Sequence, residues 1–317
     1  MKPTVIVICG PTASGKTALS IELAKKVNGE IVSCDSMQIY KDMDIGTAKP
    51  TKDEMQGIEH HLIDYVSPDA RYSVADYKKD AKKEIKEIIE KGKTPIIVGG
   101  TGLYIDSLIY EIEYPNIEFD EKYRKDLEER AEKEGLQALY EEAKKIDEIA
   151  MKKISPNDQK RILRVLEIYN ATGKNKTEQE LESRKNDVEY DYHVYALNWD
   201  RDLLYERINK RVDLMIKQGL VEEVKMIYKK YNKFPTAMQG LGYKEIVQYI
   251  EGETSKEEAI EKIKMETRRY AKRQITWFKK NKQTIWLNGQ ENIQNNIKII
   301  LEGLNWKKNK KKIRKRI

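Results

Sequence analysis

The run Thr4-Val5-Ile6-Val7-Ile8-Cys9 passes directly into Gly10-Pro11-Thr12-Ala13-Ser14-Gly15-Lys16-Thr17, and this junction restricts the chain more than any other part of it. A β-branched run without polar alternation is a strand covered on both faces, as inside a parallel sheet. From Gly10 to Thr17 every fixed position of G-x-x-x-x-G-K-[ST] is filled, giving a turn whose backbone N–H groups can surround phosphate oxygens at a helix N-terminus. Lys16 adds a point charge, and Thr17 offers a hydroxyl to Mg²⁺. Leu19, Leu23 and Val27 then recur at four-residue spacing, so the loop opens an amphipathic helix. Triphosphate, diphosphate and monoester all fit such a loop at this stage.

Composition narrows the class. With 317 residues, 39% of them apolar, the chain can hold two domains or one core with a large insertion. No run approaches eighteen apolar residues, and the N-terminus reads as a strand and not as a charged-then-apolar leader, so a cytoplasmic protein without a membrane span is expected. Cys9 and Cys34 are too few for a disulfide framework or a four-cysteine zinc site and read as small core residues. The net charge of +7 is concentrated at the end: Lys307 to Ile317 carry eight Lys/Arg and no acid, which leaves the rest nearly neutral. That basic tail, 307–317, reads as a solvated end able to attract polyanions.

Along the chain, Glu30 to Cys34 reads as a second strand, with Asp35-Ser36-Met37-Gln38 at its C-terminal end, where ligands lie in open parallel sheets. A carboxylate there can serve as a base or beside a metal, or simply cap a helix. His60-His61 lacks further ligands at metal spacing. Thr94 to Gly102 is a further buried strand breaking into a Gly-rich turn, and no Asp follows it, which points away from nucleotide hydrolysis. From Glu118 to Lys185 the chain is rich in Glu and Lys at helical spacing with no strand, so residues 111–189 read as a helical insertion between core segments 1–110 and 190–306. Its best-marked helix has Ser155 as N-cap, Pro156 at the first position and Gly173 as stop, and brings Lys160, Arg161 and Arg164 together. The core resumes with a strand at Tyr192–Leu197 and a helix capped by Asp200 that carries Arg207 and Arg211 toward the phosphate loop. A capping box, Ser255 to Glu258, opens a long helix in which basic residues interleave with Tyr270 and Trp277, a pattern suited to a nucleic-acid backbone or to an aromatic core stripe. A strand at Thr284–Leu287 and a helix at Ile293–Leu304 complete the core.

These words together resemble the tRNA dimethylallyltransferase family, the bacterial tRNA isopentenyl-transfer enzymes, up to about Trp306. They are Gly10–Thr17, Asp35-Ser36-Met37-Gln38-Ile39-Tyr40, Gly46-Thr47-Ala48-Lys49-Pro50, His60-His61-Leu62-Ile63-Asp64, Gly99-Gly100-Thr101-Gly102-Leu103-Tyr104, Pro156-Asn157-Asp158 and Lys272-Arg273-Gln274-Ile275-Thr276-Trp277. Asp147-Glu148 and Val165 depart from the family's common Asp-Pro and Ala. The resemblance implies an α/β P-loop NTPase-like core with a helical insertion, and transfer of a dimethylallyl group from dimethylallyl diphosphate to the exocyclic amine of the adenosine 3′ of the tRNA anticodon. It further implies Mg²⁺ on Thr17, diphosphate held by Lys16, the loop and Arg211, and Asp35 as general base. The tRNA anticodon stem-loop would be held by Asp35 to Gln38, by Gln159, Lys160, Arg161, Ile162 and Leu163, and by Gln239, Gly240, Leu241, Gly242 and Tyr243. Lys272, Arg273, Gln274, Ile275, Thr276, Trp277, Phe278 and Lys279 would add to it, with Thr101 and Arg124 as further contacts. A monomer is expected. An adenylate isopentenyltransferase acting on free nucleotide, a P-loop small-molecule kinase and a non-catalytic RNA-binding protein remain alternatives.

Overall fold

A computed structural model describes residues 2–114, 120–183, 187–231 and 233–314. In chain order the elements are β1 (Thr4–Cys9), α1 (Lys16–Val27), β2 (Gly29–Ser33), α2 (Lys52–Met55), β3 (His60–His61), α3 (Val74–Glu90), β4 (Thr94–Gly99) and α4 (Gly102–Ile109). There follow α5 (Glu121–Lys133), α6 (Leu136–Ile146), α7 (Glu148–Met151), α8 (Gln159–Thr172) and α9 (Lys176–Ser183). The last are β5 (Asp191–Asn198), α10 (Arg201–Gln218), α11 (Leu220–Lys230), α12 (Tyr243–Ile250), α13 (Lys256–Phe278), β6 (Ile285–Asn288) and α14 (Ile293–Arg314). The chain divides into two compact units, residues 1–106 with 189–317, and residues 107–188.

The first unit is built on one six-stranded parallel sheet of order β3-β2-β4-β1-β5-β6. It is the α/β P-loop NTPase-like core read from the sequence. Val5 to Cys9 are fully buried because β1 is paired on both edges and covered on both faces, which is what its unbroken apolar run requires. Leu19 and Leu23 of α1 pack with Ile6, Ile8, Ile31 and Ile96 on one side of the sheet, joined by Ile297 and Ile300 of α14. A second cluster lies among the later helices, where Val212, Leu220, Val224, Ile227, Ile246 and Ile263 pack against Ile39, Tyr40 and Met43. Cys9 and Cys34 are buried and free; burial pushes the Cys9 thiol up to about 12, so both behave as core residues.

The insertion unit has its own core of Leu127, Leu139, Ala143, Met151, Ile162, Leu163, Val165 and Leu166. The start of α8 differs from expectation. Asp158, not Ser155, is the N-cap and accepts from Arg161 N at 3.2 Å, while Ser155 Oγ accepts from Asn157 N in the preceding turn. Pro156 therefore sits before the helix, and Gly173 ends it in the left-handed conformation with φ +67°. The boundaries read at Glu118 and Lys185 lie outside the described residues. At the C-terminus α14 continues to Arg314 where the sequence led us to end it at Leu304, so most of the basic tail is helical; residues 315–317 lie outside the described ones. No helix among the described residues is long and apolar enough to cross a membrane.

The far end of the sheet from the phosphate loop holds a buried carboxylate. Glu30, 1% exposed, accepts from Lys93 Nζ at 2.6 Å, His61 Nε2 at 2.8 Å and Lys91 Nζ at 3.2 Å, while His61 Nδ1 meets Glu84 at 2.7 Å. Burial alone would raise this carboxyl, but the hydrogen bonds from Lys93, His61 and Lys91 outweigh it and bring it down to about 2. Glu30, Glu59 and His61 are close enough to share a cation, yet the two lysines already supply the positive charge. Glu30→Gln is expected to cost about 2–3 kcal/mol, below the ~3–5 kcal/mol of a fully enclosed pair because solvent reaches both lysines. A carboxyl lowered from 4.5 contributes fully above that pH and loses its contribution as pH falls toward about 2. Urea unfolding of wild type and variant should therefore show a gap that closes over this acid range.

Candidate active site

The site follows from strand order. Because β4 lies between β1 and β2, with Cys9 level with Gly99 and Ser33 level with Val98, the segments leaving β1, β4 and β2 emerge side by side at the C-terminal edge. They are the phosphate loop, the Gly100–Thr101 turn and Cys34 to Gln38. Gly15 takes φ +90°, a left-handed conformation that suits glycine at the point where the loop enters α1.

Two helices brace the loop. From α10, Arg207 Nε donates to Ala13 O at 2.8 Å and Arg211 Nη1 to Thr12 Oγ1 at 3.4 Å, so both arginines face the loop as their four-residue spacing allows. Arg207 also lies 4.3 Å from the ring centroid of Trp199, whose Nε1 donates to Ser14 O at 2.9 Å. From α13, the Gln274 amide reaches Thr12 N. Lys16 Nζ donates to Gly10 O at 3.0 Å and Pro11 O at 2.7 Å. Desolvation pulls Lys16 down to about 8; repulsion from Arg211 adds to this and Asp35 opposes it. Burial likewise lowers Arg211, with Asp35 and Glu54 opposing. Thr17 is exposed in the first turn of α1.

Across from these cations stands Asp35. Its Oδ1 accepts from Met37 N at 2.9 Å and Gln38 N at 3.3 Å, an Asx-type turn that fixes the carboxyl group. Thr101 Oγ1 accepts from Ser36 N at 3.0 Å, and Thr101 N donates to Cys34 O at 3.2 Å, so the turns after β2 and β4 are tied together. Gln38 Nε2 donates to Thr47 O and Ala48 O, which holds the Gly46–Pro50 loop over this edge.

Thr12, Ala13, Asp35, Ser36, Met37 and Arg211 open onto a cavity of about 350 Å³. Ile208, Val212 and Met215 of α10, Ile263, Tyr270 and Arg273 of α13, and the Gln239–Tyr243 turn complete its walls. Burial raises the Tyr270 phenol, with hydrogen bonding from Thr101 and Gln274 acting the other way, and the Arg273 guanidinium lies 5.7 Å from the Tyr270 ring. One wall depends on a residue the sequence reading passed over. Glu223 accepts from Asp44 N (2.9 Å), Ile45 N (2.7 Å), Gly46 N (3.1 Å) and Tyr243 OH (2.6 Å), so one buried carboxylate secures two cavity-lining segments. Its only signal was phase: Glu223 falls on the same helical face as Leu220, Val224 and Ile227.

The residues expected to contact RNA divide into enclosed and exposed ones. Ile162 and Leu163 are core residues of the insertion, leaving Gln159, Lys160 and Arg161 exposed on the first turn of α8. Arg124 is committed to Glu128 at 2.8 Å and Glu167 at 3.0 Å. Tyr243 is a cavity wall whose hydroxyl is taken by Glu223, and Gly240 and Gly242 are buried beside it. Within Lys272–Lys279, Gln274 and Phe278 face inward, Ile275 packs against the Leu204–Ile208 cluster, and Trp277 Nε1 donates to Asp106 at 2.9 Å. Lys272, Arg273, Thr276 and Lys279 form the exposed face.

The family model that matches is that of IPP transferase, over residues 38–281. A tRNA dimethylallyltransferase of Acetivibrio thermocellus is 53% identical over 288 residues, covering 90% of this chain and 92% of that protein. One from Caldanaerobacter subterraneus is 56% identical over 278 residues, 87% of this chain and 88% of that protein. Among solved structures, the full-length tRNA isopentenylpyrophosphate transferase of Bacillus halodurans is similar with a TM-score of 0.73 at 41% identity, covering 99% of each chain. A eukaryotic dimethylallyltransferase acting on tRNA gives 0.75 at 33% identity, over 91% of this chain and 74% of that one. Matched by the family model from Gln38 through the helix that braces the phosphate loop, and more than half identical to the Acetivibrio and Caldanaerobacter proteins along most of its length, the chain belongs to the IPP transferase family.

Proposed function

We propose that this protein transfers a dimethylallyl group from dimethylallyl diphosphate to the exocyclic amine of the adenosine 3′ of the anticodon in tRNA, releasing diphosphate. One observation carries the reading: a cationic phosphate loop and a fixed carboxylate open onto a single cavity of about 350 Å³ with partly apolar walls. Loop amides, Lys16 and Arg211 bind the diphosphate and stabilise the charge it gains as the allylic carbon–oxygen bond breaks. Met37, Ile208, Val212 and Met215 suit the five-carbon group and exclude water from it. Asp35 takes the proton from the amine as the new carbon–nitrogen bond forms, since the neutral exocyclic amine is a weak nucleophile. The adenine must leave the anticodon-loop stack to enter, and a single-stranded loop permits that. Lys272, Arg273, Thr276 and Lys279 on α13, and Gln159, Lys160 and Arg161 on α8, are the exposed groups we assign to RNA. Thr101 acts by holding Ser36 beside Asp35.

A hard divalent cation fits the loop. Thr17 supplies one exposed hydroxyl oxygen, and Mg²⁺ typically takes one or two protein ligands with phosphate oxygens and water completing its shell. When bound, Mg²⁺ would add charge neutralisation to the leaving diphosphate. We assign the protein to the cytoplasm as a monomer.

Asp35→Asn should keep donor binding yet lower the single-turnover transfer rate by ~10²–10⁴, the usual worth of general-base assistance. Normal transfer by this variant would remove Asp35 from the chemistry. The Lys16 ammonium is lost as pH rises through about 8, so diphosphate affinity of the free enzyme should decline above that pH. Calorimetric titration with inorganic pyrophosphate between pH 7 and 9.5 reads this directly, and Lys16→Ala should bind weakly with no such dependence. Transfer to AMP alone, or labelled phosphoryl transfer from ATP, would instead support a nucleotide prenyltransferase or a kinase.

A further inference from the structure

We propose that Gln274 is a positioning residue for the diphosphate end of the reaction: its side-chain amide clamps the phosphate loop to the turn after β4. The inference rests on the reading of that loop as the donor site. It departs from what the Lys272–Lys279 block implies by resemblance, which is contact with RNA throughout.

The geometry is specific. Gln274 is 5% exposed; Oε1 accepts from Thr12 N at 2.9 Å and Nε2 donates to Gly100 O at 2.9 Å. Both partners are backbone groups far away in sequence, and they belong to two of the three segments that meet at the catalytic edge. The amide therefore satisfies one donor and one acceptor that neither β1 nor β4 can satisfy, since each lies beyond its strand. Gly100 fits this arrangement: a Cβ there would come within 2.2 Å of Gln274 Nε2. No other residue type leaves the amide its seat.

Thr12 is thereby held from two sides, by Gln274 at its N–H and by Arg211 at its hydroxyl. A phosphate loop works only while its remaining amides converge, and Thr12 is the residue at which this loop begins to curl. Because the Thr12 N–H is taken up by protein, the amides further along, from Ala13 to Lys16, are those left to face the anion. Gln274 is also one helical turn from Ala271 and Phe278, both buried, and roughly opposite the exposed Lys272. One helix thus presents an RNA-facing side and a loop-bracing side.

The test uses the full chain, with inorganic pyrophosphate and Mg²⁺ in calorimetry and with dimethylallyl diphosphate and tRNA in steady-state assays. Gln274→Met, of similar length but unable to make either bond, should raise the pyrophosphate Kd and the donor KM about tenfold, as expected for losing buried hydrogen bonds that shape a site. Its tRNA KM should stay within about twofold, whereas Lys272→Ala, on the exposed face and outside the cavity walls, should do the reverse, as expected of a lost phosphate or base contact. A Gln274→Met enzyme with unchanged pyrophosphate affinity, or with the increase in tRNA KM alone, would overturn the proposal. Should that variant fail to fold, Gly100→Ala supplies the test: its methyl group displaces the amide, so donor affinity should fall in the same way. The double variant should be no weaker than Gly100→Ala alone; additive losses, or an unaffected Gly100→Ala, would equally overturn it. Failure of the wild-type protein to bind pyrophosphate would instead refute the donor reading of the loop itself.

Discussion

The placement of β4 between β1 and β2 is the constraint on which the catalytic edge depends. Had β2 paired directly with β1, Asp35 would follow the strand next to the phosphate loop. With β4 inserted, the segments that carry the carboxylate and the loop leave strands two pairing steps apart, roughly 10 Å at about 5 Å per step. The Gly100–Thr101 turn fills the interval and bonds to both sides: Thr101 to Ser36 and Cys34, Gly100 to the helix side chain that also holds Thr12. Beside these turns a cavity of about 350 Å³ opens, bordered by Thr12, Asp35 and Arg211, with room for an organic group.

Electrostatics then decide what the cavity favours. Lys16, Arg207 and Arg211 converge on a loop whose amides also point positive ends toward the same place. Desolvation, with repulsion among these cations adding to it, lowers both Lys16 and Arg211, so this part of the fold concentrates positive charge. Asp35 offsets only part of that charge. On the function proposed above, a diphosphate would be bound by groups that gain from its arrival, and the further negative charge it acquires on leaving would be met by the same groups. Apolar residues on α10 and α13 keep the intervening space from being filled by water alone.

Local chemistry made much of this legible in the sequence. The phosphate loop, Asp35 at a strand end and the Asp200 cap announce themselves through short-range rules, and the parallel sheet follows from the unbroken apolar runs of β1 and β4. The family resemblance, read from words in order, led to the same family that the model match and the relatives give. What escaped were residues whose role is set by partners far away in the chain. Glu223 is one acid among several on α11, and only the fold brings the Asp44–Gly46 amides to it. Ile162, Leu163 and Phe278 sit inside functional-looking words, yet helical phase turns them inward. Likewise Ser155 had the right chemistry for a cap, but Asp158, three residues later, has the right position.

Helix α13 shows why a motif of adjacent residues need not be a single contact surface. In a helix, neighbours in sequence point about 100° apart, so Lys272, Arg273 and Thr276 can face solvent while Gln274 and Phe278 face the core. A block of this kind carries two faces on one hydrogen-bonded element: an exposed basic face and an amide seated on the phosphate loop. Trp277, anchored to Asp106, limits rotation of that element about its axis, and Ala271 lets α10 approach closely at Leu204 and Ile208. On the proposed function, the same helix would meet the nucleic acid and fix where the donor's charged end lies, so that one piece of secondary structure, and not two independently moving loops, would set the distance between acceptor and donor.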